Sequence, residues 1–153
     1  MKQRTPLRKI QPPAYKAMFT LDEEAAKVNI DPLYKELIKI RASQINGCSY
    51  CVNSHSKDAR KKGMSEQKLY LISAWREAEN IFNEEELLLL QMTEEITLIH
   101  QHGLSDDAYE RSIALFGEQT TAEIIMAIVT INAWNRIGVA TKLQPPVEVE
   151  EVA

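Results

Sequence analysis

Signals that start and stop helices recur along the whole chain, and nothing between them alternates with the two-residue period of a strand. Pro12-Pro13 opens a predicted first helix over 13–28. Asp31-Pro32 is an N-cap followed by proline at the first helical position, and Leu33, Leu37, Ile40 and Ile45 form an apolar stripe that ends at Asn46-Gly47. A new helix then runs to about Lys62 and stops at Gly63, and Ser65-Glu66 opens another through Trp75. Asn83 with Glu86 has the spacing of a capping box ahead of a helix over 84–100. After Gly103, Ser105 caps a short helix to Phe116, and Thr120 or Thr121 starts the last one, to Thr141. The expected class is therefore all-α, with six to seven helices.

The 153 residues suit one domain with a sizeable core, and 44% hydrophobic with 26% charged residues is ordinary for a soluble protein. The predicted division is a mobile segment over 1–12, one domain over 13–143 and an acidic mobile tail over 144–153, opened by Gln144-Pro145-Pro146. A net charge of -4 gives no basis for nucleic-acid binding. The N-terminus lacks the apolar run of a secretory signal, and the longest apolar stretch, 124–131, is too short to span a bilayer, so a cytoplasmic protein without membrane contact is expected. That same stretch leaves little polar face for two turns, which predicts burial on all sides and hence self-association of so small a chain.

Both cysteines lie in one turn, Cys48-Ser49-Tyr50-Cys51, and His55 follows four residues later. On a helix these three side chains share a face. Gly47 places Cys48 at a helix N-terminus, where free amides and the helix dipole favour a thiolate. The spacing suits a disulfide, and His55 can move a proton or stabilise the anion. A base beside a thiol needs a third group to orient it. Glu36 is the candidate, because it lies eleven residues before Gly47 on the preceding helix. If the two helices fold back, Glu36 is about 16 Å from the turn and His55 about 12 Å, at about 1.5 Å per residue, so the two side chains can meet.

Glu36 followed by Cys48-x-x-Cys51-x-x-x-His55 in a helical chain of this size resembles the alkylhydroperoxidase D-like branch of the carboxymuconolactone decarboxylase family. Residues 36–48, Trp75-Arg76-Glu77 and Ile131-Asn132-Ala133-Trp134-Asn135-Arg136 carry the likeness over most of the chain. The resemblance implies the family's helical fold, with the motif on a helix hairpin. It implies that Cys51 attacks a hydroperoxide, that Cys48 resolves the sulfenic acid as a disulfide, and that His55 and Glu36 relay protons. It also implies an external dithiol reductant and a homotrimer or homohexamer. The family's relay has a further histidine between the cysteines, where this chain has Tyr50. The helix-terminus argument favours Cys48 as the more acidic thiol, whereas the resemblance assigns the attack to Cys51.

Other readings of the pair fit less well. Zinc held by Cys48, Cys51, His55 and Glu36 would lack the usual second ligand pair, so no metal is assigned. Haem attachment needs histidine where Val52 stands, and a thioredoxin-like site needs strands. The expected function is a cofactor-free thiol peroxidase with an antioxidant role. The alternatives are a decarboxylase acting on a muconolactone-like acid and a non-enzymatic redox-sensing oligomer. Trp75, Trp134, Arg76 and Arg136 are read as packing and ion-pairing residues, with Glu77 as a candidate partner.

Overall fold

A computed structural model of the chain describes residues 2–147. Its helices are α1 (Leu7–Ile10), α2 (Pro12–Ala25), α3 (Pro32–Asn46), α4 (Ser49–Lys61), α5 (Glu66–Leu71), α6 (Glu84–Thr97) and α7 (Asp106–Thr141), and there is no strand among the described residues. Glu148, Glu150 and Glu151, the acidic residues of the expected tail, lie outside the described residues. In the segment read as mobile, α1 forms one helical turn. The Arg4 N–H donates to the Thr141 carbonyl at 2.9 Å, and its guanidinium donates to the Ala140 carbonyl at 2.8 Å, so Arg4 meets the end of α7.

The helix starts follow from local chemistry. The Asp31 carboxylate accepts from Leu33 N–H at 2.7 Å, with Pro32 in the first turn of α3. Asn83 and Glu86 exchange side chain-to-backbone hydrogen bonds at 2.8 and 2.9 Å, which completes the capping box of α6. α3 ends at Gly47, whose φ of +68° is a left-handed conformation that glycine adopts without steric cost. Only Gly47 and Cys48 separate α3 from α4, and the two helices pack as a hairpin.

α3 is the centre of the fold and packs on α4, α6 and α7. Its two buried flanks serve two apolar clusters. Ile38 and Ala42 join Leu88, Leu89 and Met92 of α6 and Ile124, Ile128 and Ile131 of α7. Leu37 and Ile40 face Ala59, Leu69, Ile72, Trp75 and Phe82. Each fully buried Leu or Ile contributes about 1.5–3 kcal/mol relative to exposure, so these clusters hold the Cys48 turn against a rigid backing.

Several boundaries differ from the sequence expectation. The helix predicted through Trp75 is α-helical only to Leu71 and continues as 3-10 turns, with Ala74 outside helical geometry. Here the Trp75 and Arg76 side chains turn onto Glu94 of α6, so tertiary hydrogen bonds decide the backbone path. α2 and α6 end three residues early, at Ala25 and Thr97. The two predicted final helices form one run, interrupted only at Gly117 with φ +81°.

The apolar stretch of α7 is not enclosed on all sides within one chain. Ile124, Ile128 and Ile131 are buried, whereas Met126 and Val129 are 43% and 42% exposed. By length and composition α7 could cross a membrane. In this fold its buried side packs on α3 and α6 as a core helix.

Candidate redox site

The four sequence-nominated residues come together at the α3–α4 hairpin. Cys48 and Cys51 form a disulfide, with their Cα atoms 5.3 Å apart. Cys48 is the N-cap of α4, and its Sγ lies 3.4 Å from the Cys51 N–H, which donates to it. A thiolate at Cys48 would meet that same amide and the positive end of the helix dipole. Both cysteines are nearly covered, Cys48 2% and Cys51 7% exposed.

His55 lies one helical turn beyond Cys51 on α4, and its Nδ1 is 3.0 Å from Glu36 Oε2. The other carboxylate oxygen, Glu36 Oε1, accepts from Lys62 Nζ at 2.5 Å. Glu36 is 3% exposed. Burial alone would push its carboxyl upward. The hydrogen bonds from His55 and Lys62 and the charge of Lys39 outweigh it, lowering the value from 4.5 to about 2. Glu36 is therefore ionised at neutral pH and can only accept. It follows that His55 Nδ1 carries a proton, which leaves Nε2 of the neutral ring as the basic nitrogen.

The sequence marks Lys62 only as the end of a helix and gives it no place in the site. It sits just past the end of α4, where a basic residue is expected merely to complement the helix dipole. Only the hairpin brings it back onto Glu36. Glu36, His55 and Asp58 offer potential metal-ligand atoms within 4.8 Å of one another. Glu36 already holds His55 and the Lys62 ammonium there, and both cysteines lie outside this trio.

A cleft of about 360 Å³ opens over Cys51 and His55, walled by Tyr15, Phe19, Trp134 and Ile137. The three aromatic rings pack on one another with centroids 5.3–5.4 Å apart. Tyr50, at the position of the family's additional histidine, also lines this cleft. Trp134 thus forms part of the site wall as well as packing. Arg76 and Trp75 serve Glu94, which also receives Arg41 Nε at 2.8 Å. That assigns Arg76 to Glu94 rather than to Glu77. Arg136 donates to the carbonyl and side-chain oxygen of Asn132, both at 3.0 Å, instead of to a carboxylate.

An amide network, buried on its α7 side and half-buried at Asn46, ties the hairpin to α7. The Asn46 side chain donates to Asn132 Oδ1 at 2.9 Å and to Asn135 Oδ1 at 3.0 Å, and Asn135 donates to Ser43 Oγ at 2.9 Å. Two asparagines three residues apart in an apolar helix are the available signal for it, since buried amides need partners. Three residues after Asn135, Gly138 lies against both sulfurs.

Comparison with known proteins agrees with this architecture. Residues 12–95 match the model of the carboxymuconolactone decarboxylase family. The chain is 37% identical to the uncharacterized protein YdfG of Bacillus subtilis (strain 168) over 140 residues, which are 92% of this chain and 95% of the relative. The crystal structure of ATU0492 from Agrobacterium tumefaciens superposes with a TM-score of 0.91 at 40% identity, over 96% of this chain and all of that one. ATU0492 is described as a protein of unknown function and a candidate antioxidant defence protein AhpD. A peroxidase-related protein from Silicibacter sp. TM1040, itself uncharacterized, shares the fold at 21% identity, with a TM-score of 0.74 over 90% of this chain and 71% of that one.

Proposed function

Because the chain belongs to the carboxymuconolactone decarboxylase family and has an alkylhydroperoxidase D-like fold, we propose that it is a thiol peroxidase that reduces hydroperoxides in antioxidant defence. One arrangement carries the reading: Cys51, bonded to Cys48, opens with His55 on a single cleft, and His55 is held by a buried, ionised Glu36. The relationship to a candidate antioxidant defence protein supports the same reaction class.

In the proposed cycle His55 takes the proton of the Cys51 thiol, and Glu36 stabilises the imidazolium that results. The Cys51 thiolate attacks the outer peroxide oxygen. The O–O bond breaks, the alcohol leaves with the proton from His55, and Cys51 becomes a sulfenic acid. Cys48 then attacks Cys51 Sγ, the disulfide forms, and the sulfenic oxygen leaves as water. The pair has given two electrons to the peroxide. An external dithiol returns them by thiol–disulfide exchange and is itself oxidised to a disulfide. Such a donor is maintained in a reducing compartment, which supports a cytoplasmic setting.

The aromatic cleft wall supports an organic hydroperoxide as substrate. The exposed Met126 and Val129 on α7 support assembly as a homo-oligomer, for which the family resemblance suggests a trimer or hexamer. The test is peroxide consumption by the reduced protein with dithiothreitol as donor, together with mass spectrometry of the thiols. Cys51→Ser is expected to abolish turnover, and Cys48→Ser to trap a sulfenic acid on Cys51. Full turnover by either variant would reject the mechanism.

A further inference from the structure

Four of the five glycines in the sequence have positive φ: Gly47, Gly63, Gly103 and Gly117. Gly138 does not, and lies in the last turn of α7 with its carbonyl accepting from Leu143 N–H at 2.9 Å. Its backbone suits any helix-forming residue, and alanine there would be favoured by propensity. The surroundings give the reason for glycine. A methyl carbon on Gly138 would sit 3.0 Å from Cys48 Sγ and 3.7 Å from Cys51 Sγ. The register of α7 that brings Gly138 there is fixed one turn earlier by Asn135, whose amide joins Asn46 and Ser43 on the α3 side.

We propose that Gly138 is a positioning residue of the thiol pair, leaving the space that Cys48 Sγ occupies in the disulfide and thereby setting the balance between disulfide and dithiol. The inference rests on the proposed redox cycle. In the disulfide, Cys48 Sγ is tethered both to its own backbone and to Cys51, so it cannot swing away from an added methyl. In the dithiol the S–S bond is replaced by two S–H groups, and the Cys48 side chain is free to rotate about χ1. A side chain at position 138 therefore penalises the oxidised state selectively.

The experiment equilibrates wild type and Gly138→Ala with defined ratios of reduced and oxidised dithiothreitol. The buffer thiols supply two electrons and two protons to the protein disulfide as they form their own. Alkylation and mass spectrometry then count dithiol against disulfide. The expected result is an oxidation constant at least tenfold lower in Gly138→Ala, a rise of about 30 mV in midpoint potential. The oxidised variant should melt below oxidised wild type, while the reduced variant melts no lower than its counterpart. A constant within twofold of wild type, a shift in the opposite direction, or equal stability changes in both redox states would overturn the proposal.

Should Gly138→Ala fail to accumulate, the double variant Cys48→Ala/Gly138→Ala decides the matter. Folding restored by removal of the Cys48 sulfur is expected, and a double variant that still fails to fold would overturn the assignment. The potential is read without peroxide. A shifted potential in a protein that does not consume hydroperoxide would thus reject the peroxidase reading and retain the role of Gly138.

Discussion

Replacing Glu36 by Gln keeps the shape of the side chain and removes its charge from a place where that charge is held tightly. The carboxyl falls from 4.5 to about 2 because the donors His55 and Lys62, with Lys39 nearby, overcome the opposing effect of burial. At about 1.4 kcal/mol per pKa unit, this binding of charge stabilises the folded state by about 3 kcal/mol. A carboxyl lowered by folding gives stability that is fully present above its unfolded value of 4.5 and is lost as pH falls toward about 2. Roughly 2 kcal/mol of it should therefore be gone by pH 3. Gln has no such dependence, while the chain's other carboxyls affect both proteins alike. Urea unfolding followed by circular dichroism, with the disulfide kept intact, should show wild type losing its advantage over Glu36→Gln between pH 5 and pH 3. A difference that stays constant from pH 7 to pH 3 would refute the account of Glu36. The same variant should slow alkylation of the reduced pair at pH 7, since His55 no longer faces a carboxylate when it accepts the thiol proton.

Lys62→Met removes one of the two hydrogen-bond donors on Glu36, so the carboxyl should titrate above about 2, whereas Lys62→Arg should hold it low. Carbon-13 NMR of the Glu36 carboxyl reads this directly, and an unmoved value would show that His55 suffices. Asn135→Ala strips partners from half-buried Asn46 and buried Ser43, and a loss of about 2 kcal/mol is expected in urea unfolding at pH 7. A loss under 0.5 kcal/mol would mean that the amide network does not fasten α7 to the hairpin. Met126→Glu with Val129→Glu places charge on the exposed apolar side of α7 and should convert an oligomer to smaller species in light scattering, with helicity unchanged. Wild type that is already monomeric at micromolar concentration would reject self-association through this face.

The sequence by itself determined the local events, because each needs only neighbours along the chain. Asp31-Pro32, the Asn83–Glu86 box and Ser105 start helices where the structure has them, and Gly47 ends α3 because the turn needs a positive φ. Cys48, Cys51 and His55 were legible as one face of a helix for the same reason, and Glu36 as a residue at matching depth on the preceding helix. The fold decided whatever depends on a partner far along the chain. Glu36 could be nominated from helix length, but its second partner Lys62 is 26 residues away and reaches it only when α4 folds back on α3. The 3-10 turns after Leu71 follow Glu94 of α6, which no local pattern around Trp75 reveals. Gly138 illustrates the division most sharply. In the sequence it is a glycine in a helix that would accept alanine. Packing sets it against the two sulfurs, where the absence of a side chain leaves room for the disulfide.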